Sequence, residues 1–225
     1  SPKCQLQLSL DFCEQHSGFL MANTMKKNDK RWIGDLLGGP LMVRESRTIA
    51  ELLLSEPDET TWQKQIINEN ILQASSTSTA NRYARTLRLR LMTLDRECWQ
   101  LIADGSESER LQMLLVALMI QSPIVAQFVA DVVNPARQQF KEKLGMNCWS
   151  EFVDENLRLH PELAAFSDSS IQKMGNNLIK ALAEAGYLDT PRRRNLQNVF
   201  LLPDVATALY RLNKAELLPI LEGHA

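Results

Sequence analysis

Arginine dominates one short stretch of the sequence, SSTSTANRYARTLRLRLMTL, which covers residues 75–94. Four arginines fall between Arg82 and Arg90, although the chain as a whole carries a formal net charge of −2. Clustered guanidinium groups can form a surface that contacts phosphates, because each presents several donors in a planar fork. The alternative is a solvated helix face whose arginines pair with acids elsewhere in the fold.

A helical wheel separates these arginines from a buried stripe. Successive residues of an α-helix are about 100° apart, and this spacing collects the apolar side chains of the stretch on one face. We expect six residues to face the core, namely Ala80, Tyr83, Ala84, Leu87, Leu91 and Leu94. Arg82, Arg85 and Arg96 lie on the opposite face, and Arg88 and Arg90 lie at its two edges.

Charge is distributed unevenly along the chain. Asp95 and Glu97 are the only acids within residues 75–100, so pairing between residues four apart cannot neutralise the arginines. Residues 75–100 and residues 169–194 each carry a net charge of +3, which leaves −8 on the rest of the chain. This asymmetry points to a polyanionic partner, although pairing with distant acids is compatible with the same pattern.

The second basic segment is predicted to be an amphipathic helix followed by a β-hairpin. Its apolar residues share one helical face, namely Ile171, Met174, Leu178, Leu182 and Ala185. The opposite face carries four residues that suit a nucleic acid, namely Lys173, Asn176, Asn177 and Lys180. Lysine can contact phosphates and asparagine can contact base edges. Arg192, Arg193 and Arg194 would then lie at the tip of the hairpin, beside the same ligand.

The sequence contains no catalytic or metal-binding constellation. Its three histidines, His16, His160 and His224, lack metal-ligand spacing to cysteine, aspartate or glutamate. There is no P-loop or dinucleotide fingerprint. Asp154 and Glu155 are adjacent, so they would face different directions on a helix and form no acid/base pair. We therefore expect no catalytic residues, no metal site and no cofactor.

Composition and cysteine usage are those of a helical cytoplasmic protein. The chain of 225 residues has only nine glycines and nine prolines, and it is rich in good helix formers. Four cysteines, Cys4, Cys13, Cys98 and Cys148, form no CxxC pair, which indicates reduced thiols. The first residues lack the features of a signal peptide.

One apolar stretch, residues 111–133, resembles a membrane span at first sight. A span needs about 20 mostly apolar residues. Polar residues and Pro123 interrupt this stretch, so we expect two buried helices with a break at Pro123, a protein that needs no detergent, and no membrane partner.

The order of predicted elements indicates a mainly all-α fold with two domains. Asp58 and Ser106 or Ser108 are expected helix N-caps, and Gly145 an expected C-cap. Residues 1–146 would form a helical bundle that contains the arginine-rich helix. Residues 147–225 would form a winged-helix-like domain, because two short helices and a longer one precede a β-hairpin whose second strand is NVFLL.

Several motifs together resemble one family. They are LMVRESRTIAELLL, the pattern W…I..EN.LQ beginning at Trp62, STSTANRYARTLRLRL, and L.EAGYL followed by FLLP. In this combination they resemble BrxA of BREX phage-defence systems, over about residues 39 to 220. Residues 1–38 do not match the family pattern.

The resemblance implies a DNA-binding accessory role in a bacterial defence operon that also encodes a methyltransferase, an ATPase and a phosphatase-like protein. We therefore expect a non-enzymatic protein with double-stranded DNA and other BREX subunits as partners. The expected DNA-binding residues are Arg82, Arg85, Arg88, Arg96, Lys173, Asn176, Asn177, Lys180, Arg192, Arg193 and Arg194. The competing hypothesis is an interaction scaffold whose basic faces dock acidic proteins without contacting DNA.

Overall fold

Helices make up most of the chain in the computed structural model, which describes residues 32–223. The α-helices, in chain order, are α1 (Val43–Leu54), α2 (Glu59–Gln63), α3 (Thr77–Leu91), α4 (Arg96–Asp104), α5 (Glu107–Gln121), α6 (Pro123–Phe128), α7 (Asn134–Gln138), α8 (Cys148–Asn156), α9 (Asp168–Glu184), α10 (Pro203–Arg211) and α11 (Leu218–Glu222). Short 3-10 helices lie at Leu36–Gly38, Pro161–Ala165 and Ala215–Leu217, and π-helical turns lie at Lys64–Asn68 and Val129–Val133. The prediction of a mainly all-α fold is confirmed.

Local capping signals set where several helices begin. The Asp58 carboxylate accepts a hydrogen bond from the Thr61 amide at the start of α2, as predicted. Ser106 caps α5 by accepting from the Glu109 amide, and the Glu109 side chain accepts from the Ser106 amide in return. This reciprocal arrangement satisfies amide groups that a helix start otherwise leaves without partners.

Helix α5 forms the centre of the core. Its residues from Gln112 to Met119 are all buried, and the chain bends at Pro123 into α6, as predicted. Within residues 32–223, no helix alone has both the length and the apolar character needed to cross a membrane, and the segments 107–121 and 123–138 meet those criteria only as a pair bent by 111°.

Buried residues from before and after residue 146 belong to one hydrophobic cluster, which includes Leu115, Phe128, Leu178 and Leu209. Polar contacts also cross the expected boundary: the Asn134 side-chain amide donates to the Ile220 carbonyl, and the Asn177 side-chain amide donates to the Leu36 carbonyl. The division into domains 1–146 and 147–225 stays a prediction.

The predicted winged helix with its β-hairpin is not supported by the structure. Residues 32–223 contain no strand, and the segment after α9 makes only isolated antiparallel bridges, Leu188 to Leu196 and Lys143 to Asn195. The expected strand NVFLL, residues 198–202, is irregular because a side chain takes the place of a partner strand. Gln112 of α5 donates to the Phe200 carbonyl (2.8 Å) and accepts from the Leu202 amide (3.0 Å).

A second correction concerns Gly145, which does not cap the helix that begins at Asn134. That helix, α7, ends at Gln138, and the Phe140 amide donates to the Arg137 carbonyl as the chain leaves it. Phe140 has a positive φ of 55°, a conformation that stops a helix. The residues that follow pair instead with the segment around Asn195.

Candidate nucleic-acid interface

Helix α3 presents the buried stripe that the wheel predicts. Ser76 caps its start by accepting from the Thr79 amide (3.1 Å). Five of the six predicted core residues are buried, namely Ala80, Ala84, Leu87, Leu91 and Leu94, and Tyr83 is half-buried. This packing fixes the directions in which the arginines of the helix project.

Arg90 is buried rather than placed at an edge of the exposed face. Its side chain retains only 3% of its accessible surface, and it donates to three carbonyls of the preceding turn: Asp35 (3.1 Å), Gly39 (2.6 Å) and Pro40 (2.5 Å). Burial lowers the pKa of Arg90 from the usual value for arginine to about 10. Arg90 therefore holds the turn 35–40 against α3 and contacts no ligand.

The turn 35–40 lies directly on α3. A Cβ added to Gly38 would be 2.6 Å from the methyl carbon of Thr86, and the Thr86 hydroxyl donates to the Asp35 carboxylate (2.8 Å). Gly39 has a φ of +148°, which disfavours residues with a side chain. Close packing thus requires glycine at this point of the chain.

Arg82 and the two lysines of α9 line one groove, named the basic groove below. Its volume is about 430 Å³. Its lining includes the turn 37–40 and residues of α1, α3 and α9, in full Leu37, Gly38, Gly39, Pro40, Met42, Val43, Glu45, Arg82, Tyr83, Lys173, Asn177, Lys180 and Glu184. The two basic segments of the sequence, nearly 100 residues apart, therefore meet at this groove.

The cations of the basic groove differ in the interactions that their side chains make with the rest of the protein. Arg82 donates to the Gly38 carbonyl (3.3 Å) and lies over the ring of Tyr83, 4.7 Å from its centroid. Lys180 lies 3.9 Å from Glu184. Lys173 is exposed and has no polar partner within residues 32–223. All three ammonium or guanidinium groups are accessible to an anion.

Two carboxylates share the basic groove. Glu45 pairs with Arg44 outside the lining (2.9 Å). Glu184 accepts from the Leu41 amide (3.0 Å), and burial raises its pKa above the usual value of 4.5. Both acids thus have partners within the protein, and the lining retains three cations against two acids.

The two asparagines predicted to face a nucleic acid, Asn176 and Asn177, have different surroundings. Asn177 donates to the Leu36 carbonyl (2.9 Å), so its amide anchors the turn before α1. Asn176 is exposed and lines a different groove, between α8 and α9, together with Trp149 and Arg194. The structure therefore brings Lys173, Asn177 and Lys180 together with Arg82, but not Asn176.

The remaining arginines of α3 and α4 project away from the basic groove. Arg88 pairs with Glu59 (3.0 Å) and lies 4.3 Å from the centre of the Trp62 ring. Arg96 pairs with Glu56 (2.5 Å). For these two, pairing with distant acids is what the structure shows. Arg85 is exposed and has no polar partner within the described residues.

Arg192, Arg193 and Arg194 lie on the turn between Leu188 and Leu196. The Arg194 side chain donates to the carbonyls of Gly145 (3.2 Å) and Met146 (3.0 Å), so it ties two loops together. Arg192 and Arg193 are exposed, and their side chains form no hydrogen bond or ion pair within residues 32–223.

Neither cysteine of the described region is in a reactive environment. Cys98 and Cys148 are buried free thiols, and burial raises both pKa values, that of Cys98 to about 12. Cys4 and Cys13, like His16 and His224, lie outside the described residues. Residues 32–223 contain no group of His, Cys, Asp and Glu side chains suited to a metal ion.

The sequence matches one protein family over most of its length. The family model described as BrxA matches residues 30–213. The chain belongs to the BrxA family. A protein named BREX protein BrxA from Escherichia coli O9:H4 (strain HS) is 68% identical over 200 residues, which are 89% of this chain and 94% of that protein. Membership makes the chain a component of a BREX phage-defence system.

A more distant relative and a solved structure are also similar to this chain. BREX protein BrxA from Paramagnetospirillum magneticum is 30% identical over 186 residues, which are 83% of this chain and 94% of that protein. A crystal structure of an uncharacterized protein from Magnetospirillum magneticum superposes with a TM-score of 0.78 at 27% identity, and the match covers 86% of this chain and 99% of that one.

Sequence reasoning missed two parts of this interface. No role was predicted for the turn 37–40, which forms one wall of the basic groove. Arg90, which holds that turn, looked like its exposed neighbours on the helix. The sequence GGP before α1 was the available signal, because two glycines allow a backbone to approach a helix closely.

Proposed function

We propose that this protein is a non-enzymatic DNA-binding accessory component of its BREX system, and that it contacts duplex DNA mainly through phosphates. The observation that carries the proposal is the basic groove. Arg82 of α3 and Lys173 and Lys180 of α9 converge there on a stable framework of packed helices. Lys173 is a cation without a partner in the described part of the chain.

Electrostatics favours a polyanion over a small anion as the ligand. Duplex DNA carries one negative charge per about 1.7 Å of its axis, so it can engage several separated cations at once. The three cations of the basic groove come from two helices, Arg82 from α3 and Lys173 and Lys180 from α9. A single small anion would use only part of this surface.

Phosphate contacts account for these residues better than base contacts do. The amide of Asn177, the residue of α9 in the basic groove that could read a base edge, is engaged with the Leu36 carbonyl. Lysine and arginine contacts to phosphate position a protein on DNA but carry no sequence information. We therefore expect affinity that depends strongly on salt and weakly on sequence.

A triple variant tests the proposal. Changing Arg82, Lys173 and Lys180 together to alanine should weaken binding to unrelated duplexes about equally. Each lost phosphate contact flattens the slope of log affinity against log salt by about 0.9, so the triple variant should lose up to about 2.7 units. Fluorescence anisotropy with labelled random duplexes at several salt concentrations gives this slope.

The matched control removes the same charge elsewhere. Arg47, Lys64 and Lys214 are each paired with a glutamate of the protein. Their triple alanine variant has the same net charge as the groove variant but should keep the wild-type slope. Equal loss in both variants would mean that only net charge matters, and a groove variant with the wild-type slope would refute the proposal.

A second candidate function, the protein scaffold, rests on a different surface. Leu89 of α3 and Met92, which directly follows α3, are 53% and 59% exposed and line an apolar groove with Trp62. Arg85 and Arg88 flank this groove, which would suit an acidic amphipathic helix. A scaffold should co-purify with another BREX subunit and show no affinity for naked duplex, whereas the first proposal requires salt-dependent duplex binding.

A further inference from the structure

A second cationic surface lies away from the basic groove. Two loops, residues 140–146 and residues 189–196, pair side by side and are named the paired-loop edge below. The Leu144 amide donates to the Arg194 carbonyl (3.1 Å), and the Leu196 amide donates to the Glu142 carbonyl (2.9 Å). The two loops therefore present their side chains from a common, hydrogen-bonded backbone.

Side chains within the paired-loop edge reinforce this backbone. Arg194 donates to the carbonyls of Gly145 and Met146 across the two loops. The Asp189 carboxylate accepts from the amides of Thr190 (2.6 Å) and Asn195 (2.9 Å) and from the Asn195 side chain (2.8 Å). One arginine and one acid of the edge are thus used to shape it.

Four cations of the paired-loop edge remain exposed, although the charge of Arg193 interacts with that of Asp189. Lys141, Lys143, Arg192 and Arg193 are exposed, and the described chain provides no hydrogen bond or ion pair to their side chains. Glu142 is the only other acid of the two loops besides Asp189. The edge therefore carries an excess of exposed positive charge.

An aromatic ring lies beside these cations. Phe140 is 93% exposed, and its backbone is held in a left-handed conformation with φ 55°. Its amide donates to the Arg137 carbonyl (2.9 Å), and the next amide, of Lys141, donates to the Ala136 carbonyl (3.0 Å). These bonds fix the backbone at the end of α7 so that the ring faces solvent.

We propose that the paired-loop edge binds an unpaired nucleotide of DNA. The ring of Phe140 stacks on the base, and the exposed cations around Lys143 and Arg193 contact the flanking phosphates. An aromatic ring needs an open base face, which a duplex hides within its stack and an unpaired strand offers. The inference rests on the proposed function in that the partner is DNA, but it uses residues outside the basic groove.

The test compares two DNAs and two exposed phenylalanines. One DNA is a blunt duplex, and the other is the same duplex with a central single-stranded gap; anisotropy gives both affinities. Wild-type protein should bind the gapped DNA more tightly. Phe140→Ala should lose about tenfold in affinity for gapped DNA, which corresponds to one lost base stack, and should keep its affinity for the blunt duplex.

Phe200→Ala is the matched control. Phe200 is 83% exposed, but residues 197–203 contain no basic residue. This variant should bind both DNAs as the wild type does, and Phe140→Tyr should retain the preference for gapped DNA because tyrosine also stacks. Both alanine substitutions remove exposed rings, so folding should be unaffected, which circular dichroism checks.

The outcomes separate this inference from the proposed function. A wild type that binds gapped and blunt DNA equally, or a Phe140→Ala variant that keeps the preference, overturns the stacking role. Equal losses in Phe140→Ala and Phe200→Ala overturn it too. A wild type that binds single-stranded regions but no duplex supports the paired-loop edge and refutes the duplex-binding groove, and a wild type that binds neither refutes both.

Discussion

The wheel places Arg85 opposite the core and Arg90 at an edge of the exposed face of α3, and the surroundings of the two side chains in the structure are opposite. Arg85 is exposed and unpaired within the described residues, whereas Arg90 is buried and donates to three backbone carbonyls. The wheel could not predict that Arg90 is buried, because the turn 35–40 that covers it is about 50 residues away. Clustered arginines are therefore partly structural and partly available to a ligand.

This contrast gives a stability prediction. Arg90→Ala should lower the free energy of unfolding by about 2–4 kcal/mol, because it leaves buried carbonyls without donors and a cavity beside Gly39. Arg85→Ala should hardly change it. Urea unfolding followed by circular dichroism measures both. If the two variants were equally stable, the turn 35–40 would not depend on Arg90.

At the scale of elements, the sequence predicted the features that depend on residues close together in the chain, such as helix starts, helix breaks and buried helix faces. Asp58 and Ser106 begin α2 and α5, and Pro123 separates α5 from α6, because capping and the missing amide of proline act within one turn. The buried faces of α3 and α9 followed from their apolar spacing in the same way.

The prediction of a strand at residues 198–202 was wrong because the partner of this backbone lies far away in sequence. Its β-branched and aromatic residues suit a strand, but a strand needs a partner, and here Gln112 of α5 satisfies the backbone instead. Gln112 is about 90 residues away in sequence and looks like any other glutamine on an apolar helix. The basic groove could not be predicted from the sequence either, because it depends on how α3, α9 and the turn 37–40 pack.

The role of Gln112 can be tested directly. Gln112→Leu keeps the side-chain volume but removes the donor to Phe200 and the acceptor for Leu202, which should cost about 1–3 kcal/mol. Hydrogen exchange of the Leu202 amide should accelerate before the helices open. Gln172→Leu, a change at an exposed residue of α9, should leave that amide protected. Unchanged protection in Gln112→Leu would show that other contacts fix the segment.

At the scale of the whole molecule, an ion pair links α4 and α10 through two residues that are 116 positions apart in sequence. Arg211 of α10 donates to the carboxylate of Asp95 (2.5 Å), which also caps α4 by accepting from the Cys98 amide (2.9 Å). The hydrogen bond from Arg211 is the main cause that lowers the pKa of Asp95 from 3.8 to about 2. The charge of Asp95 therefore favours the folded state.

The pH dependence of this link has a definite sign. The folded pKa of Asp95 lies below its unfolded value, so its contribution is fully present above about pH 4 and is lost as pH falls through 2. Asn caps a helix about as well as Asp, so Asp95→Asn removes only the charge. The pair is about a third exposed and water screens it, so the expected cost at pH 7 is about 1 kcal/mol.

Urea unfolding of Asp95→Asn and wild type at pH 7 and at about pH 2.5 measures this contribution, and the difference between them should shrink at the lower pH. Asp58→Asn is the matched control, because Asp58 caps α2 without an arginine partner, and its difference from wild type should stay small at both pH values. Arg211 also pairs with Glu97 (2.6 Å), which keeps α10 in place in the variant and limits the loss to one interaction. A difference as large at low pH as at pH 7 would mean that Asp95 acts through packing or capping rather than charge. The contact between α4 and α10 would then depend on the apolar core and on the pair of Arg211 with Glu97.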